Sequence, residues 1–370
     1  MADVLGILNF ESSEATLGGL NDSRTIGAVS FLGRYRIMDF MMSNFTNSGV
    51  DNIQIHIKKF PRSVIEHVQH TNYNINSKRG KIHMLHGENP NVSELYNNDI
   101  ASFVANMQYI EDSRAQYVII APSHFVYKQD FSLMLEHHIN NQNDITILYQ
   151  SVNNAKDSFM MCDVLHMDEN KTITSLTKNL GRCKNRDISL ECYCMSKELF
   201  MDLIAQAQKI SSLFWLKDVI AENIANLKVQ GFAHHGFAAC INTLKAYYDT
   251  SLEIHTQKIL HEMINNEWPI YTMTNDSCPT VYREEGTAVN SIVGNGCIIE
   301  GEVISSIIGR GVVIKKGAVI KNSVIFPAST IDKDVRIENA IVDRYALVSH
   351  IKEIKGSEDK PAYVRRRDRI

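Results

Sequence analysis

Several absences narrow the class of this chain before anything present is weighed. Its seven cysteines scatter from Cys162 to Cys297 with no CxxC pair among them, which argues against a disulfide framework and a structural zinc site. The opening Met1-Ala2-Asp3 carries no basic n-region, and the apolar runs fall far short of the roughly 20 residues that span a bilayer. A cytoplasmic protein is expected. A net charge of −4 and a pI near 6.4 give no electrostatic reason to expect nucleic-acid or membrane binding. No serine sits in a GxSxG elbow. The histidines His67 with His70, His137-His138 and His234-His235 lack converging carboxylates or cysteines, so they read as surface or core residues.

One further absence is local. The first apolar strand, Val4-Leu5-Gly6-Ile7-Leu8, runs into Asn9-Phe10-Glu11-Ser12-Ser13-Glu14-Ala15-Thr16, a loop with no glycine, no basic residue and two carboxylates. Such a loop repels an anion where glycine amides and an arginine would attract one.

What is present is enough to bury a sizeable core: 370 residues, 44% hydrophobic, about two domains by length. The first two-thirds alternate short apolar strands with amphipathic helices, the pattern of a largely parallel sheet covered on both faces. Strands read at Val4–Leu8, Asn52–Ile57, Tyr117–Ala121 and Asp144–Gln150. Helices are expected from Pro61, over Ile100 to Met107 behind an Asn98 or Asp99 cap, over Leu133–Ile139, and later over about Lys197–Gln208, Lys217–Leu227 and Thr243–Met263. Cys192 and Cys194 flank Tyr193 on a further strand and share one face, as core residues do.

From Ala288 the texture changes to β-branched triplets separated by glycine and small polar residues. Asn290-Ser291-Ile292-Val293, Ser305-Ser306-Ile307-Ile308, Asn322-Ser323-Val324-Ile325 and Asn339-Ala340-Ile341-Val342 align on one another, starting 15, 17 and 17 residues apart. Three hexapeptides per coil with an inward aliphatic residue at each is the signature of a parallel β-helix, whose coils must stack to bury that row. The expected organisation is an α/β domain over 1–270, a linker over 271–287 and a left-handed β-helix over 288–370 with a charged tail ending Arg365-Arg366-Arg367-Asp368-Arg369. That tail is either solvated or part of an anion site.

The runs Gly33-Arg34-Tyr35-Arg36-Ile37-Met38-Asp39-Phe40 and Ser43-Asn44-Phe45-Thr46-Asn47-Ser48-Gly49-Val50 resemble sugar-nucleotide pyrophosphorylases, most closely the glucose-1-phosphate adenylyltransferase family that makes ADP-glucose. The resemblance extends in order from Asp3 through the β-helix. It implies a Rossmann-like nucleotidyltransferase domain followed by the β-helix, and it shows which site residues have changed. The family's phosphate loop, GGxGTRL, is the acidic loop described above. Its RAKPAVPF becomes Arg24-Thr25-Ile26-Gly27-Ala28-Val29-Ser30-Phe31, with Ile26 at the lysine. Its YxGTADAVxQN becomes Tyr96 to Asn106, keeping only the first tyrosine and last asparagine.

The family aspartate that binds catalytic magnesium, in AGDHIYKMDY, corresponds to Ser123 in Ala121-Pro122-Ser123-His124. A neutral hydroxyl is a poor ligand for a hard dication. The second metal ligand, in FGKDIIP, remains as Asp218 beside Lys217; these two can hold a weak residual site or serve as a charge pair at a helix start. EKP corresponds to Leu176-Thr177-Lys178-Asn179, which keeps the lysine and loses the glutamate, and WRDVGTLEAYW leaves Cys240 at its aspartate. No cofactor is therefore expected, magnesium only if residual activity persists.

Arg24 and Arg36 stand where the family binds phosphorylated effectors, and guanidinium groups suit sugar phosphates and nucleotides. They are either such a site, completed by Arg365, Arg366 and Arg367, or ordinary interdomain ion pairs. The resemblance implies a GlgD-type non-catalytic subunit that joins a catalytic partner in a heterotetramer for glycogen synthesis. The alternative is a competent adenylyltransferase making ADP-glucose and pyrophosphate from ATP and glucose 1-phosphate; an acyltransferase built on the β-helix would need a histidine inside the repeats, and His350 lies beyond them.

Overall fold

The computed structural model describes residues 4–12, 15–68, 81–86, 98–210, 215–283 and 285–370. A nine-stranded sheet forms the centre of the first part, its main path running 173–178, 163–167, 186–196, 117–122, 4–9, 52–56, 81–85. The strands Lys81–Leu85, Asn52–His56, Val4–Asn9 and Tyr117–Pro122 are parallel neighbours, as are Val229–Ala233 and Ile145–Val152. The long strand Arg186–Ser196 runs antiparallel against Tyr117–Pro122 and Ile145–Val152 and joins the two groups. Buried on both faces, the parallel strands are continuous aliphatic runs.

One face carries the helices Met38–Asn47, Phe131–Asn140 and Leu244–Ile254 over a cluster that includes Phe40, Phe45, Phe131 and Tyr247. The other carries Asp99–Ala105, Lys197–Ile210 and Leu216–Asn223 over Ile100, Phe103, Phe200 and Ile220. The expected Asn98 cap is present, its side chain accepting from the Ala101 amide at 3.0 Å. Cys192 and Cys194 share the first cluster and Tyr193 the second, as strand alternation requires. The helix expected over Thr243–Met263 is broken in two, Leu244–Ile254 and Gln257–Met263. Thr256 between them is extended at ψ 137, and its hydroxyl donates back to the Glu253 carbonyl at 2.8 Å, the local bonding that lets threonine interrupt a helix.

The repeat region closes into three parallel five-stranded faces, the architecture of a left-handed β-helix. The first face comprises Val281–Tyr282, Ile298–Ile299, Val313–Ile314, Thr330–Ile331 and Leu347–Val348; its opening strand lies within the span read as linker. The second comprises Thr287–Val289, Glu302–Ile304, Val319–Lys321, Arg336–Glu338 and Glu353–Lys355. The third comprises Ile292–Val293, Ile307–Ile308, Val324–Ile325, Ala340–Val342 and Ala362–Val364. Much of the charged tail is thus the last coil, and the Ile370 amide bonds the Leu347 carbonyl at 3.0 Å.

The aligned segments begin at corners. Asn290, Ser305, Asn322 and Asn339 all have positive φ, 44 to 50°, a conformation asparagine tolerates better than most residues. The serines that follow form a ladder: Ser291 Oγ accepts from the Ser306 amide, Ser306 Oγ from the Ser323 amide and Ser323 Oγ from the Ala340 amide, each at 3.1 Å. The third face packs on the α/β core through Ile307, Val324 and Ile341, with Tyr363 beside them. Gly33, at φ 74, allows a close backbone approach, since a Cβ there would sit 2.9 Å from the Ile308 carbonyl oxygen.

Candidate functional site

The strands Val4–Asn9 and Tyr117–Pro122 end side by side, and the segments leaving their C-terminal ends meet. In an open α/β sheet this is where ligands bind. Here a cavity of about 330 Å³ opens, lined by Phe10, Glu11, Arg24, Lys59, Ser123 and His124. The Glu11 carboxylate is buried, and its Oε1 accepts from the backbone amides of Lys58 at 2.7 Å and Lys59 at 3.1 Å. A pair of adjacent amides is an anion site, and the chain supplies its own anion. Glu14 lies outside the described residues, as do Tyr96, Asn97 and His70.

Ser123 is buried, its amide bonded to the Asn9 carbonyl at 3.0 Å. Asp218 accepts from the Trp215 amide at 3.4 Å and caps its own helix. Lys217 does not pair with it as a helix-start couple: its ammonium turns to Glu191 at 3.2 Å and the Ser12 carbonyl at 3.4 Å. Against a desolvation that would lower it, the Glu191, Asp163 and Asp99 carboxylates hold Lys217 above the usual lysine range. Lys178 is in turn bound to Asp163 at 2.6 Å.

Glu191 is the residue that sequence reasoning missed. It interrupts an apolar strand at φ 52, where the pairing of 186–196 with 145–152 shifts register, and it is buried. Burial would raise its pKa, but Lys217 and then His124 hold it below the carboxylate norm. Its Oε2 has no hydrogen-bond partner and lies 3.8 Å from His124 Nε2. Burial pushes the His124 pKa down to about 4, so the ring is neutral near pH 7. Asp99, which accepts from the Leu216 amide and from Asn9 Nδ2, both at 3.0 Å, has its pKa raised to about 7 by burial.

These donors do not fit a catalytic magnesium ion. The dication needs converging anionic oxygens, yet Ser123 offers a hydroxyl and Asp218 is engaged as a cap. Among the described residues no group of three His, Cys, Asp or Glu is placed to hold a metal.

A second region lies between the α/β part and the β-helix. A cavity of about 290 Å³ is lined by Arg34, Arg36, Arg310 and Arg344 with Tyr35 and Tyr345. Burial, then repulsion from Arg344, lowers the Arg36 pKa to about 10. Arg344 has a buried Nε with no partner. Arg366 and Arg367 each stand 5.9 Å from the Tyr345 ring centre at the wall of this cavity, and Arg366 reaches Ser23 Oγ at 3.3 Å. Arg24 is consumed by a buried ion pair with Asp343 of the β-helix, and the Arg365 side chain is exposed. Arg36 is therefore joined by Arg34, Arg310 and Arg344, which the sequence did not single out; Arg310 and Arg344 are distant in the chain and only the coil register brings them in. Of the histidines weighed from the sequence, His67 pairs with Asp39 at 2.7 Å, His234 with Gln129 at 2.9 Å and His138 with Thr146 at 3.0 Å, all buried, whereas His235 is exposed. Among the described residues no helix is long and apolar enough to cross a membrane.

Comparison with known proteins agrees with this architecture. A family model described as nucleotidyl transferase matches residues 17–176, and one described as GlmU-like C-terminal hexapeptide matches 278–365. Similar proteins include the glycogen biosynthesis protein GlgD of Bacillus subtilis, 26% identical over 366 residues, covering 98% of this chain and 96% of the relative. GlgD of Geobacillus stearothermophilus is 29% identical over 86% of this chain and 82% of its own length. The glucose-1-phosphate adenylyltransferase of Bacillus anthracis is 25% identical over 88% of each.

Proposed function

As a member of the glucose-1-phosphate adenylyltransferase family, related over nearly its whole length to GlgD proteins, this chain keeps the family scaffold, and we propose that it is a non-catalytic regulatory subunit in glycogen biosynthesis, its phosphate loop acidic and one metal position Ser123, with only Asp218 kept. Its partner is a catalytic glucose-1-phosphate adenylyltransferase subunit, with which it forms a mixed tetramer. The observation that carries this reading is Glu11 on the Lys58 and Lys59 amides. A triphosphate entering there would meet a carboxylate already holding the amides, and nucleotidyl transfer depends on stabilising phosphate charge.

The subunit acts by packing on the active partner and shifting its equilibrium between states. The arginine-lined cavity suits a phosphorylated sugar or nucleotide as effector, since Arg36 and Arg344 lie on it without a facing carboxylate among its lining residues.

The test is pyrophosphate release from ATP and glucose 1-phosphate with magnesium. The purified chain alone should turn over negligibly, while co-expression with a catalytic subunit should yield a mixed tetramer of altered activity. Turnover by the chain alone comparable with a catalytic subunit overturns the proposal in favour of a competent adenylyltransferase. Replacing Arg36 and Arg344 by alanine should abolish the effector response of the mixed tetramer; an unchanged response rules out the cavity as effector site.

A further inference from the structure

Two buried carboxylates stand near the ends of the strands Val4–Asn9 and Tyr117–Pro122, and each holds donors that an external anion would otherwise take. Glu11 holds the Lys58 and Lys59 amides. Glu191 holds the Lys217 ammonium at 3.2 Å, and its backbone is strained in doing so. At φ 52 it lies in the left-handed region, inside a bulge where Ser189 pairs with Tyr149 and Cys192 is the next to pair, with Leu148. Such a corner suits glycine, and a larger residue persists there only where its surroundings hold it. The Glu191 amide has left the strand ladder for Ser189 Oγ at 3.1 Å.

The carboxylate fills its surroundings incompletely. Oε2 is buried with no hydrogen-bond partner, which the polar groups of an ordinary core avoid. It faces His124 Nε2 at 3.8 Å, too far for a hydrogen bond. With the Ser12 hydroxyl donating to Nδ1 at 3.4 Å, the ring, neutral near pH 7, carries its proton on Nε2 and presents it to that oxygen. Lys217 and His124 thus stand wider apart than one tethered carboxylate spans. His124 also lines the cavity of about 330 Å³ at the strand ends, so one ring borders both the carboxylate and the cavity. The neighbouring acid Asp163 is taken up by Lys178 at 2.6 Å, which leaves Glu191 as the direct partner of Lys217.

We propose that Glu191 is a tethered anion: its carboxylate occupies an oxyanion site formed by Lys217 and His124, excludes free anions from it, and yields it to a free carboxylate or phosphate once the side chain is removed. On the regulatory reading, on which this rests, the filled site leaves phosphorylated ligands to the catalytic partner. The two fail separately. Turnover by the wild-type chain would overturn the regulatory role, whereas the anion site is read from binding alone.

Glu191→Gly removes the side chain where the backbone suits glycine and leaves Lys217 without its counter-charge. Propionate is the group cut away, with a hydrogen at the cut, and inorganic phosphate is a larger oxyanion; calorimetric titration of the full-length chain at constant ionic strength measures both. Each should bind the variant roughly tenfold or more tightly than it binds wild type, and the melting temperature of the variant should rise when either replaces chloride. Phosphate stabilises folded proteins in general by exclusion from their surface, so the rise is taken relative to wild type. Glu191→Gln refills the space without charge and should bind neither anion. Glu191→Gly combined with Lys217→Met should lose the response. Circular dichroism checks folding; if Glu191→Gly folds poorly in chloride, refolding from urea should recover in propionate, and failure in both overturns the proposal. So does a Glu191→Gly chain that responds no more than wild type, or a response that survives Lys217→Met, since the anion then binds elsewhere.

Discussion

At Asp99 burial holds a proton that water would remove. Its pKa is raised from 3.8 to about 7, so between about pH 4 and 7 the folded protein keeps a proton the unfolded chain has released, and stability falls as pH rises through that window. His124 acts oppositely. Its pKa is depressed from 6.5 to about 4, the unfolded chain binds the extra proton, and stability rises from about pH 4 to 6.5. Burial depresses His56, His138 and His234 in the same direction, to about 3, 4 and 4, so wild-type stability rises overall from about pH 4 to 6.5 with Asp99 working against it. Asp99→Asn should steepen that rise in melting temperature; a variant that follows the wild-type curve would refute the assignment.

Glu191 and Lys217 form a buried pair near the C-terminal ends of the central strands. Removing one partner strands the other, at roughly 3–5 kcal/mol. Glu191→Leu should therefore lower urea stability by that order, and the double change Glu191→Leu with Lys217→Met should cost less than the single one. A double-variant loss equal to the sum of the Glu191→Leu and Lys217→Met losses would mean the pair is not coupled. Little of this pairing was legible in the sequence. Ser123 stands out in the sequence because the resemblance implies a carboxylate there, a difference of chemistry at one position. The partner of Lys217 could not, since an acid within a strand reads as solvent-facing until the register shift turns it inward.

The β-helix coils were the more legible elements, and the reason is physical. Asparagine at a left-handed corner, serine next to it and an aliphatic residue beyond are each demanded by the local backbone, so the repeat is written in residue types. Asn322→Gly should accordingly be nearly neutral, while Asn322→Val, a β-branched side chain forced to positive φ, should cost roughly 1–2 kcal/mol. Ser323→Ala removes the acceptor of the buried Ala340 amide and should cost roughly 1–3 kcal/mol. Chemical denaturation distinguishes these outcomes, and equal losses for Gly and Val would show that the corner conformation does not matter. The interruption at Thr256 was not legible, because Leu244 to Met263 keeps an amphipathic pattern on both sides and only the threonine's own hydrogen bond to Glu253 divides it.

At the scale of the whole molecule, the α/β part and the β-helix share one core. Ile307, Val324 and Ile341 of the third face are buried in the same cluster as Phe31, Phe40 and Tyr247, and the Tyr247 hydroxyl donates to the Ser30 carbonyl at 2.7 Å while that of Tyr248 donates to the Asn322 carbonyl at 2.6 Å. Separating the two would expose aliphatic surface on both sides, so calorimetry should record one unfolding transition. Arg24 and Asp343 lie inside this junction, both buried, with Tyr363 donating to the same carboxylate at 2.9 Å. Asp343→Ala leaves a guanidinium buried without its counter-charge and should lower stability by roughly 3–5 kcal/mol. Arg24→Ala strands the carboxylate, though Tyr363 still donates to it, so its cost should be smaller. If the pair couples the two parts, the double variant should lose less than the sum of the singles, with a single transition retained. Additive losses would mean that the aliphatic contact alone holds the parts together, and that Arg24 has been freed from a structural role and could be tested for one at the neighbouring cavity.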